Sequence, residues 1–92
     1  MTDVAGFTAQ LQAEGYQEVV TREIKAGLAT PEHTHPYDAR GLVLAGQFCV
    51  TSATGAQDCG VGQSFAVAAG LLHAETSGAA GATLLVGRRS LG

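Results

Sequence analysis

Three histidines are the residues in this 92-residue chain whose type and spacing suggest chemistry: His33, His35 and His73. In an extended segment, side chains alternate between faces, so His33 and His35 aim two imidazoles into one small volume. His73 lies in a second Gly-bounded apolar stretch further along the chain. Three neutral imidazoles converging from two strands make a site for a divalent transition metal. Imidazole donors suit Fe, Zn, Ni, Cu or Mn, so they do not identify the metal.

The elements that position these residues must come from a short chain. Its length makes one domain with a single core. Hydrophobic residues are 46%, charged residues 14%, and there are 13 glycines, a turn-rich globular composition. The net charge of -3 and the lack of a Lys/Arg cluster argue against a nucleic-acid partner. The N-terminus lacks the basic and apolar regions of a signal peptide, and no apolar run approaches the ~18 residues of a membrane span. The expectation is a cytoplasmic protein without a membrane partner, its Cys49 and Cys59 reduced.

Residues 3–14 form the one helical candidate, capped by Asp3, with Val4, Phe7 and Leu11 at helical spacing. Residues 1–15 therefore read as a helical extension and 16–92 as the main domain. From Tyr16 the period changes, and Tyr16 to Ala26 reads as a strand. Further strands are expected at residues 40–45, 47–52, 56–60, 64–67, 72–77 and 82–89. Gly46 and the run Gly78-Ala79-Ala80-Gly81 stand as breaks among them. About eight short strands with glycine at most junctions indicate an all-β barrel or sandwich. A hairpin turn at residues 53–56 sets Val50 opposite Cys59 and turns Cys49 to the other face, which disfavours a disulfide.

The histidines fall within two longer patterns. Gly27, five residues, His33-Thr34-His35 and the closing Gly46 follow the frame G-x5-H-x-H-x3/4-E-x6-G. Gly62, five residues, Ala68, Ala69, Gly70, Leu71-Leu72 and His73 follow G-x5-P-x-G-x2-H-x3-N. Together these motifs span Gly27 to Ser77, just over half the chain, and on them the sequence resembles the cupin superfamily. The resemblance implies a jelly-roll β-barrel preceded by a short α-helix, with a metal bound inside by His33, His35 and His73.

Three positions depart from the pattern. The motif glutamate is Ala39, the proline is Ala68 and the final asparagine is Ser77. Asp38 is adjacent to the vacant carboxylate position, but alternation turns it to the opposite face unless a bulge re-aims it. Glu75 is two residues from His73 and shares its face in a regular strand. It reads as a fourth ligand, or as a catalytic acid or base beside a bound water; the alternative is a solvated place at the barrel mouth. Tyr37 reads either as a phenol near the site or as packing at the barrel lip.

Among cupins, a three-histidine set resembles that of the thiol and diketone-cleaving dioxygenases. Two functions follow as expectations. One is a metal-dependent enzyme, dioxygenase-like or a lyase/isomerase, acting on a small organic molecule. The other is a non-catalytic module binding metal or a small ligand, as a sensor or store. Outward-facing Leu42 and Leu44, with an uncovered strand at residues 16–26, suggest a homodimer formed through sheet edges.

Overall fold

The structure, a computed structural model, describes residues 3–90. One helix, α1 (Val4–Ala13), precedes five strands: β1 (Glu18–Ile24), β2 (Tyr37–Ser52), β3 (Gly55–Cys59), β4 (Ser64–Val67) and β5 (His73–Ser90). The architecture is all-β with one short helix, as expected. Asp3 caps that helix, its carboxylate accepting a hydrogen bond from the Gly6 amide at 2.8 Å.

Two long strands organise everything else. β2 and β5 run antiparallel through most of their lengths, with β1 on the far side of β5 and β3 and β4 both paired to β2. The first part of β2 pairs with the last part of β5 (Leu42↔Leu85, Val43↔Leu84) and also with β4 (Gly41↔Phe65). Its second part pairs with the start of β5 (Val50↔Glu75, Ser52↔His73) and also with β3. Between these halves the register is broken. It steps from Gly46↔Ala82 to Phe48↔Ser77, so residues 78–81 have no partner on β2.

This irregularity corrects the expectation of separate short strands at residues 40–45 and 47–52, and at 72–77 and 82–89. Gly46 and residues 78–81 are corners within continuous strands, where a bulge bends the sheet and carries each strand from one side of the core to the other. Gly46 (φ +76°) and Gly81 (φ +77°) meet at the bend. A Cβ on Gly46 would run into the Gly81 carbonyl oxygen, and one on Gly81 into that of Ile24. Both the left-handed backbone and the close approach require glycine there.

The bend gives the sheet an inside and an outside. Inside, Val43, Phe48, Val50, Cys59, Phe65, Val67, Ala82, Leu84 and Val86 form the buried core. Outside, α1 covers β2 and β5, and Leu11, Tyr16, Leu42 and Leu85 are buried there. Leu11 is fully buried, its side chain close over the bare backbone of Gly87. Leu42 does face outward, but it is not exposed as expected, because the helix lies over it. Leu44 is half-buried.

The β2–β3 hairpin turns at Ala53-Thr54 and pairs Phe48 with Cys59 and Val50 with Gln57, two residues from the expected register. A shift by two preserves the faces. Cys49, opposite Asp58, still points away from Cys59, and both thiols are free. Burial raises the Cys59 thiol above its usual pKa, as do the nearby charges of Asp58 and Cys49 to a smaller degree.

Candidate metal centre

His73 opens β5, while His33 and His35 lie in the irregular segment between β1 and β2. They are not on a regular strand, which corrects the geometry inferred from alternation. A ladder of hydrogen bonds lays this segment against β5. The amides of His33 and His73 donate to each other's carbonyls at 2.9 and 3.0 Å, which places the two residues directly opposite each other. Thr30 exchanges with Glu75: the Thr30 amide donates to the Glu75 carbonyl, and Thr30 Oγ1 accepts from the Glu75 amide, both at 2.9 Å. Ser77, at the motif asparagine position, accepts from the Leu28 amide and donates to the Lys25 carbonyl. The Gly70 amide donates to the His35 carbonyl and closes the far end.

The side chains converge as this backbone dictates. The imidazole centroids lie 4.8 Å apart for His33–His35, 4.4 Å for His33–His73 and 5.1 Å for His35–His73. His73 is fully buried, and Glu75 joins the three rings. One potential ligand atom from each of the four residues lies within 4.8 Å of the others, so the group could hold a metal ion. Four donors bound tetrahedrally at about 2.1 Å stand about 3.4 Å apart, so the side chains would close inward by up to about 1.4 Å to bind an ion.

The hydrogen bonds around the rings also fit a metal. His33 Nδ1 is 2.8 Å from the Pro31 carbonyl and His73 Nδ1 is 2.9 Å from that of Leu71. A carbonyl only accepts, so each Nδ1 carries a proton, and the lone pair that a neutral ring offers a metal is then on Nε2. His73 Nε2 faces Glu75 Oε2 at 3.3 Å. A proton on Nε2 would make this a hydrogen bond, and a metal ion held between the two atoms would take that proton's place. Burial, followed by the neighbouring imidazoles, lowers the pKa of His35, while Glu75 opposes the shift and Arg88 adds to it. This favours the neutral, ligating form.

Glu75 lines the cavity rather than lying free at its mouth, and its side chain is 23% exposed. Ala39 also lines the cavity and leaves the motif carboxylate position empty. Asp38 faces away. It accepts from the Ala69 amide at 2.9 Å and from Arg89 at 2.8 Å, and these bonds, the amide first, hold its carboxyl below the usual range. It does not replace the missing carboxylate.

The cavity around the site has a volume of about 300 Å³. Phe48, Phe65, Val67, Leu84 and Val86 give it apolar walls. Tyr37 lines it too, stacked on His35 with a centroid separation of 4.9 Å and an interplanar angle of 17°. Two charged lining residues were not singled out from the sequence, Arg22 and Arg88. Alternation from Leu84 and Val86 to position 88 was the available signal for the second.

No protein-family model matches the chain, and neither does any curated protein. Solved structures do. A protein of unknown function from Rhizobium leguminosarum bv. viciae 3841 aligns with a TM-score of 0.74 at 18% identity, over 79% of this chain and 69% of its own. An RmlC-like cupin from Shewanella frigidimarina aligns at 0.64 and 19% identity, over 78% of this chain and 65% of its own. KdgF from Halomonas sp. aligns at 0.63 and 17% identity, over 79% and 68%. The chain thus spans about two thirds of each of these proteins. Its fold is that of the cupin superfamily.

Proposed function

We propose that this protein is a metal-dependent cupin enzyme acting on a small organic molecule. His33, His35 and His73 are the metal ligands and Glu75 is the group that moves a proton. The observation that carries this reading is the convergence of three imidazoles and one carboxylate on a cavity of ligand size. A bound divalent ion would supply Lewis-acid polarisation of a substrate oxygen. The backbone ladder from residues 27 to 35 holds His33 and His35 in place, and the apolar walls lower the polarity beside the fully buried His73. Glu75, two residues from His73 on the same wall, is placed to take a proton from bound substrate and return it. This chemistry favours a lyase or isomerase over a dioxygenase.

Metal-free protein titrated separately with Zn(II), Fe(II), Ni(II) and Mn(II) should bind one ion per chain. His73→Ala should lower that affinity by at least about 100-fold, since one of a small set of ligands is lost. Solvent deuterium exchange into a panel of small ketones and keto acids should require the metal and disappear in Glu75→Gln. Failure to bind any of these ions stoichiometrically would overturn the metal assignment. Oxygen consumption by the Fe(II) form without deuterium exchange would assign the site to a dioxygenase instead.

The protein acts as a homodimer in this reading. β1 pairs only with β5, and its other edge is open among the described residues, with Val20 37% exposed on it. Light scattering at micromolar concentration should give twice the chain mass; a monomer would contradict the pairing.

A further inference from the structure

The chain has five Lys and Arg residues, and the structure divides its four arginines between the two faces of the sheet. On the outer face, Arg40 meets Glu14 at 2.8 Å and Arg89 meets Asp38 at 2.8 Å. On the inner face, Arg22 and Arg88 border the cavity, and neither is neutralised at short range. Arg88 has only a long 3.8 Å approach to Glu18, whose side chain is 59% exposed. Arg22 has no hydrogen-bond or ion-pair partner among the described residues.

Arg88 is nevertheless held in place. Its guanidinium lies 4.9 Å from the centroid of the Tyr37 ring, which is itself stacked on His35. A cation–π contact spends no N–H donor, and no guanidinium donor of Arg88 has a hydrogen-bond partner among the described residues. A planar cation thus sits two ring spacings from a metal-ligand imidazole, on the wall of the same apolar cavity. Two positive side chains beside one carboxylate, Glu75, give that cavity an excess of positive charge before any metal is counted. The whole chain carries a net charge of -3, so this local sign runs against the molecule as a whole.

We infer that Arg88 is the substrate-anchoring residue for a small organic acid, its guanidinium taking the carboxylate while the other end of the molecule faces the histidines. Arg22 adds attraction from the neighbouring strand β1. The match is to a carboxylate rather than a phosphate. One guanidinium fork satisfies two coplanar oxygens, whereas the three oxygens of a phosphate dianion require further donors. The remaining walls are mainly hydrocarbon and accept an uncharged carbon skeleton. This inference takes from the proposed function only the direction in which the second end of the ligand points.

The probe is 4-oxopentanoate, whose carbonyl and carboxylate stand at opposite ends of a short chain, compared with its methyl ester and with inorganic phosphate. Calorimetric titration of the zinc-loaded protein should show the acid binding at least about tenfold more tightly than the ester or phosphate. Arg88→Gln should remove that preference, Arg88→Lys should restore part of it, and Arg22→Gln should weaken acid binding by about threefold or less. Unchanged melting temperatures of the variants would show that each is folded. The metal-free protein should keep the preference for acid over ester at lower affinity. Loss of zinc binding alone would therefore overturn the metal assignment and leave the anchor standing. Equal binding of acid and ester in both forms, or full retention of the preference in Arg88→Gln, would overturn the anchor. Phosphate binding as tightly as the acid would overturn the choice of carboxylate.

Discussion

The inward and outward faces of the β2–β5 pair are built from similar residues and use them differently. Outside, Leu42 and Leu85 are buried on the face that the helix covers, Leu11 lies over Gly87, and Arg40 and Arg89 are tied to carboxylates at 2.8 Å. Inside, Leu84, Val86 and Phe65 wall a cavity, and Arg22 and Arg88 keep their hydrogen-bonding capacity. The arginines at 88 and 89 are adjacent in sequence, yet alternation sends one to the cavity and the other to the helix. The difference separates stability from recognition. Charges satisfied within the fold hold the helix on, and charges left unsatisfied are available to a ligand.

Two substitutions probe that separation, the larger effect first. Leu11→Ala removes the fully buried side chain between helix and sheet and should cost about 2–5 kcal/mol by chemical denaturation. Zinc affinity should stay within about twofold, because the altered packing is on the far face from the histidines. A tenfold loss of zinc affinity in this variant would break the division of roles between the faces.

The smaller effect is at Asp38. Its carboxyl is held below the ordinary value of 3.8, first by the Ala69 amide and then by Arg89. Below 3.8 the unfolded chain therefore binds this proton more readily than the folded one. The stabilisation is complete above 3.8 and is lost as the pH falls through the lower folded value. Asp38→Asn should thus melt below the parent protein at neutral pH, and the two melting curves should converge in strong acid. A constant difference across that range would mean that Asp38 acts through shape rather than charge.

The most local features were the most legible in the sequence. His33, His35 and His73 were readable because their spacing to Gly27, Gly46, Gly62 and Gly70 is fixed within short segments. Glu75 followed from its two-residue offset from His73. Glycine marks turns and bulges alike, so Gly46 and residues 78–81 read as strand ends when they are corners. The hairpin register was displaced by two residues, and only because two is even did Cys49 and Cys59 keep their faces. Leu42 was placed correctly on the outside, but its burial depends on where a distant helix docks, which residue alternation does not encode. Arg22 and Arg88 were missed for a related reason. What distinguishes them from Arg40 and Arg89 is the absence of a short-range partner, and partners are settled by tertiary pairing.

The reciprocal amide bonds between His33 and His73 have a consequence for how an ion would arrive. They set the backbones of two of the three histidines opposite each other as the chain folds, so that part of the ordering entropy is lost before any metal is present. Capture then depends on how quickly an ion sheds its water at the cavity mouth, and not on rearrangement of the backbone. If an ion binds there, the empty and loaded forms are expected to share the backbone of the barrel, and exchange of the ion would leave that backbone intact.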